Sequence, residues 1–231
     1  MRPTPTPIPQ SRLDAASAPS SCAVVLLPGV FDRPGDFVRR GFIDAATARV
    51  PEVALVAPDA HLGYYRKRSI LVRLRADVVT PLRAAHEQVW LTGISLGGVG
   101  SLLYAREHGD DIAGIFLLAP FLGEDDLIEE IRAAGGVLAW SPKGPPGDDD
   151  FAIENWLWLQ RWHGSPVQDR PQIWLGYGAA DDFAPAAELL AELLAPERIL
   201  IHPGGHDWDA WTPLWRDFLA AGALDACRAS G

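Results

Sequence analysis

One serine stands out by its setting. Ser95 lies in Gly93-Ile94-Ser95-Leu96-Gly97, after the apolar run Val89-Trp90-Leu91 and before a small-residue, helix-compatible stretch that reaches Leu103. The pattern reads as strand, sharp turn and helix, with the hydroxyl at the apex. A turn that tight strains its central residue and brings neighbouring backbone so close that only glycine fits on either side. Strain of this kind costs roughly 1–3 kcal/mol and persists where the surroundings over-determine it, often at a functional site. A serine placed there could attack a carbonyl carbon. At neutral pH its hydroxyl is a poor nucleophile, so the chain must also supply a base and a group that orients the base.

Six histidines are available. His206 sits in the glycine loop Pro203-Gly204-Gly205-His206, between a late apolar run ending at His202 and a helical pattern that starts at Asp209. His202 falls inside the strand pattern, while His86, His108 and His163 lie near helix ends, where cations suit the dipole. His61 belongs to the loop after the second strand. For the acid, Ile173 to Tyr177 leads into Gly178-Ala179-Ala180-Asp181-Asp182. Either carboxylate could orient the base, and the other would cap the helix that follows.

These residues need elements to carry them. Cys22–Leu27, Val53–Ala57, the run into the Ser95 turn, Ile112–Ala119, Ile173–Tyr177 and Arg198–His202 read as six strands, apolar on both faces. Helical patterns alternate with them: Asp36 to about Val50, Ser69 to about Glu87 with Pro81 as a possible kink, the helix after Ser95, Pro185–Leu194 and Asp209–Leu219. Alternation of this kind predicts an α/β fold with a mostly parallel sheet covered by helices on both sides. Two further helices, Glu124–Ala134 and Phe151–His163, interrupt the alternation and predict a lid-like insertion over about 124–165, above the C-terminal strand ends. Residues 1–20, rich in Pro, Ser, Thr and Ala, read as a flexible tail without the apolar core of a secretory signal, and 21–231 read as one domain.

The run GISLGG after an apolar strand resembles the nucleophile elbow of the α/β-hydrolase superfamily, and the likeness extends from about Val24 to Leu219. That superfamily orders its machinery as serine, acid, histidine along the chain, with the acid in a G-x-x-D pattern after a late strand. The resemblance therefore implies Ser95 as nucleophile, Asp181 in preference to Asp182 as the acid, and His206 as the base. It also implies backbone donors for an oxyanion at Leu96 and at Val30 or Phe31, although Pro28 stands where the family usually has a histidine. Within the superfamily, GGHDWDAW followed by LWRDFL is similar to the putative-esterase group that includes esterase D and the antigen 85 acyltransferases. A cofactor-independent serine hydrolase of a small carboxylic ester or thioester is implied. The alternatives are acyl transfer with the same triad and a hydrolase-fold binding protein without turnover.

Other residues bear on the substrate. The loop Asp59–Arg68 should rim the same end of the sheet, so His61 and Tyr64 are candidate substrate contacts, with Arg66, Lys67 and Arg68 as a cationic cluster. Nine tryptophans are many for 231 residues, and Trp140, Trp156, Trp158 and Trp162 crowd the insertion. Trp140 and Trp156 are candidate walls of an aromatic lid. A net charge of −10 argues against nucleic acid and anionic membrane as partners. No apolar run approaches the roughly 18 residues that span a bilayer, and no Cys/His cluster has zinc spacing. Cys22 and Cys227, near opposite ends of the chain, read as free thiols of a cytoplasmic enzyme in preference to a terminal staple.

Overall fold

A computed structural model describes residues 2–13, 21–147 and 150–227. Seven strands form one sheet in the order β1-β3-β2-β4-β5-β6-β7. They span Gln10–Arg12 (β1), Cys22–Leu27 (β2), Ala54–Pro58 (β3), Gln88–Ile94 (β4), Gly114–Leu118 (β5), Gln172–Gly178 (β6) and Ile199–His202 (β7). All neighbours run parallel except β1, which pairs antiparallel with β3.

The helices are Pro34–Arg39 (α1), Phe42–Arg49 (α2), Leu62–Arg66 (α3), Ile70–Arg73 (α4), Thr80–Ala85 (α5), Leu96–His108 (α6), Asp125–Ala133 (α7), Phe151–Gly164 (α8), Ala184–Ala191 (α9) and Trp208–Ala220 (α10). The period of two along each buried strand divides the core in two. Val25, Leu27, Leu91, Ile115 and Leu117 face one side with Leu74, Leu102, Ile128 and Leu159. Val24, Leu26, Trp90 and Phe116 face the other with Phe42, Trp215 and Phe218. On that second side Phe116 stacks on Phe218 with centroids 4.3 Å apart, and Phe42 stacks on Trp215 at 5.2 Å.

The six expected strands are present. The seventh comes from the stretch read as a tail. Gln10, Ser11 and Arg12 pair with Pro58, Ala57 and Val56, and Ile8 is buried in the core. Residues 14–20 of that stretch lie outside the described residues. The helix expected over 36–50 is divided because Gly41 takes φ +75°, which ends α1 and starts α2 at a new angle. α1 starts before Asp36, with Arg33 at its N-cap, and the Asp36 carboxylate in the first turn accepts the Arg33 amide at 2.8 Å.

Between α4 and α5 the chain widens into a π turn, Leu74–Val79. Pro81 explains it, having no N–H for the Asp77 carbonyl and a ring that crowds it. The freed carbonyl accepts the Gln10 side-chain amide at 3.1 Å instead.

A second correction concerns the cysteines. Cys22, at the start of β2, is bonded to Cys227, in the last described turn, with Cα atoms 5.2 Å apart across 205 residues of sequence. The expected cytoplasmic setting favoured free thiols over a terminal staple; the sheet and α10 bring the two ends of the domain together.

Candidate active site

β4 delivers Ser95 and α6 carries the chain away from it. Ser95 has φ +52° and ψ −110°, the strained conformation expected for the turn. Its amide donates to the Leu118 carbonyl at 2.9 Å, which ties the turn to β5. Both flanking glycines are sterically required. A Cβ on Gly93 would lie 2.1 Å from the Gly97 carbonyl oxygen, and one on Gly97 would lie 2.2 Å from that of Leu27.

The exits of β6 and β7 are pressed together in the same way. Ala179 and Ala180 donate to the carbonyls of His202 and Gly204 at 2.9 and 2.8 Å, and a Cβ on Gly178 would stand 2.4 Å from the Gly204 oxygen. This approach brings Asp181 to His206, far off in sequence. The Asp181 side chain is fully buried; Oδ2 meets His206 Nδ1 at 2.9 Å and Oδ1 accepts the Phe183 amide at 2.8 Å. A carboxylate accepts, so the ring proton is assigned to Nδ1 and the Nε2 lone pair is left free. Phe183 and Trp211 hold the imidazole edge-to-face, at 4.8 and 5.1 Å between centroids. Asp182, the rival acid, is exposed.

Ser95, Leu96 and His206 open onto one cleft of about 540 Å³, which the turn Gly29–Asp32 closes from β2. Val30 and Phe31 line it, and Phe31 is 95% exposed at the rim. Phe121, Phe183, Trp208 and Trp211 make the rest of its walls largely aromatic. These four were missed as cleft residues, though each follows a strand end or a triad candidate by only a few positions.

The four candidate substrate contacts lie elsewhere. His61 is buried, with Nδ1 accepting the Gly63 amide at 3.1 Å and Nε2 2.9 Å from the Pro3 carbonyl. The Tyr64 hydroxyl donates to the Pro5 carbonyl at 2.8 Å. The N-terminal segment thus covers both, and neither lines the cleft. Lys67 of the cationic cluster bonds Thr4 Oγ1 at 2.7 Å. Trp140 and Trp156 are buried, their indoles donating to Glu130 Oε1 and to the Leu122 carbonyl, each at 2.9 Å. The insertion packs α7 and α8 against the core beside α6, and no residue of 124–165 lines the cleft among the described residues. Its tryptophans fill the core because each buried indole finds an acceptor there.

A parallel sheet with a serine elbow after one strand, and a carboxylate–imidazole pair after two later ones, defines the α/β-hydrolase fold. The sequence profile of a family described as "Putative esterase" matches residues 65–221, and the chain belongs to that family of ester hydrolases. No curated protein matches it by sequence. Solved structures share the fold at low identity. Est1E from Butyrivibrio proteoclasticus is 16% identical with a TM-score of 0.62, over 94% of this chain and 92% of that one. The S-formylglutathione hydrolase of Staphylococcus aureus is also 16% identical, at 0.56, over 86% and 79%. Mycobacterium tuberculosis MPT51 is 18% identical, at 0.56, over 97% of both chains. Among the described residues no helix is long and apolar enough to cross a membrane.

Proposed function

We propose that the protein hydrolyses a small carboxylic ester or thioester through an acyl-enzyme on Ser95, without a cofactor. His206 Nε2 takes the Ser95 proton as Oγ attacks the carbonyl carbon, and Asp181 holds the imidazole and stabilises its charge. The oxyanion of the tetrahedral intermediate is received by the Leu96 amide and by that of Val30 or Phe31. One such donor is typically worth about 2.7–4 kcal/mol in the barrier. His206 then returns the proton to the departing alcohol or thiol, and water repeats the sequence to release the acid.

The observation that carries the reading is the 2.9 Å contact between a fully buried Asp181 carboxylate and His206, at a cleft that also holds the strained Ser95. Buried carboxylate–imidazole pairs also serve structure, and it is the strained serine in the same cleft that points this one to catalysis. The test is Ser95→Ala with a short p-nitrophenyl ester and a fluorophosphonate probe. Turnover and labelling should both vanish. Wild-type turnover in the variant would overturn the assignment.

A further inference from the structure

The cleft holds one carboxylate that the proposed mechanism does not use. Asp32 ends the turn from β2, its amide donating to the Gly29 carbonyl at 3.2 Å. Its Oδ1 accepts the Trp208 indole N–H at 3.0 Å. Its Oδ2 stands over Gly29, where a Cβ would lie 2.5 Å from it. Its carboxylate is met by the Trp208 indole and the Gly29 backbone, and among the described residues no cation forms a salt bridge with it. Arg40 is turned to the Trp208 ring, 5.7 Å from its centroid.

The surroundings are unfavourable to a lone anion. Burial raises the Asp32 pKa above the ordinary value and Asp36 adds to the rise, while the Trp208 bond, the Gly29 backbone and the Arg40 charge work against it. A carboxylate with no salt bridge, in a cleft walled by Phe31, Phe121, Phe183, Trp208 and Trp211, is the complement of an organic cation. Aromatic walls can hold a cation, and the carboxylate offers the opposite charge. A net charge of −10 draws cations toward the molecule as well. Trp208, which holds Asp32, lies two residues past His206, the group that hands its proton to the leaving group.

We propose that Asp32 is a specificity-determining residue, selecting esters or thioesters whose leaving group carries a quaternary or protonated amine. The proposal rests on the hydrolase reading above and narrows its substrate class. A hydroxyl could also meet Oδ2, but it would gain nothing from the aromatic faces.

The test compares acetylthiocholine with its neutral isostere, in which carbon replaces the ammonium nitrogen, and follows thiol release at neutral pH. Wild-type kcat/KM should favour the cation by about tenfold or more, chiefly through KM. In Asp32→Asn, which keeps an acceptor for Trp208, the ratio should fall severalfold, to the smaller preference that the aromatic walls alone give. A wild-type ratio near one overturns the proposal, as does a ratio unchanged in Asp32→Asn. Turnover of neither isostere while p-nitrophenyl acetate is hydrolysed also overturns it. Calorimetric binding of choline reads the same site without turnover. It should weaken about tenfold in Asp32→Asn, and undiminished or undetectable binding counts against Asp32. Choline binding without hydrolysis of any ester would sink the hydrolase reading instead.

Discussion

Asp181 and Asp182 are chain neighbours in opposite surroundings. The first is buried with both oxygens engaged, and the second is exposed. Asp181→Asn should therefore cost roughly 10⁴-fold in kcat, the scale seen when a triad acid is neutralised and the base takes the wrong tautomer. Asp182→Asn should leave turnover near wild type, and steady-state kinetics on one ester separates them. Asp32 offers a second prediction, in stability. Its folded pKa lies above the unfolded one, so the folded state holds the proton more tightly and stability falls as pH rises between the two values. Asp32→Asn removes that penalty. Thermal unfolding should show the variant melting higher than wild type at neutral pH, with the gain vanishing below the ordinary carboxylate range. At this scale the elbow and the Asp–His pair were legible, because local glycine spacing and chain order announce them. His61, Tyr64, Trp140 and Trp156 were not, since their partners are backbone carbonyls of the N-terminal segment and Leu122 and a glutamate one helix away. Nothing local marks an aromatic residue as wall or filling.

Elements were legible wherever one periodic pattern decided them, as with the six apolar strands. They were not where a contact decided. β1 has only three residues, all exposed, in a segment whose proline and serine content suggests disorder; it exists because β3 offers an unpaired edge. Its anchor is Ile8, 2% exposed in the same side of the core as Tyr64 and Leu74. Ile8→Ala should lower unfolding free energy by about 2–5 kcal/mol, the usual range for a buried isoleucine, read by urea denaturation. An unchanged midpoint would show that the strap is merely laid on the surface. At the elbow the contact is with backbone, which cannot yield as a flexible side chain would. Gly97→Ala, facing the Leu27 carbonyl at 2.2 Å, should give insoluble or unfolded protein where Gly35→Ala, facing only the Arg39 side chain at 3.2 Å, does not.

For the whole molecule the question is what holds the two ends of the domain together. Fold class could be read from the alternation of strands and helices, but end-to-end proximity could not, because it depends on where α10 returns along the second face of the sheet. That return brings Cys227 to Cys22, both buried, and closes a loop of 205 residues. Persistent disulfides belong to oxidising surroundings, so the bond stands against the cytoplasmic setting that the sequence suggested. Constraining the unfolded chain over so long a loop is worth roughly 2–4 kcal/mol in typical measurements. For a chain of this size that corresponds to roughly 4–16 °C in Tm. Replacing both cysteines with alanine should lower the calorimetric Tm by that amount while leaving ester turnover at ambient temperature, since neither cysteine lines the cleft. Reductant should shift the wild type toward the double variant and leave the variant unmoved. Equal melting temperatures for the two, with intact mass showing the wild type two hydrogens heavier than the bonded form, would remove the staple from this account and restore the free thiols.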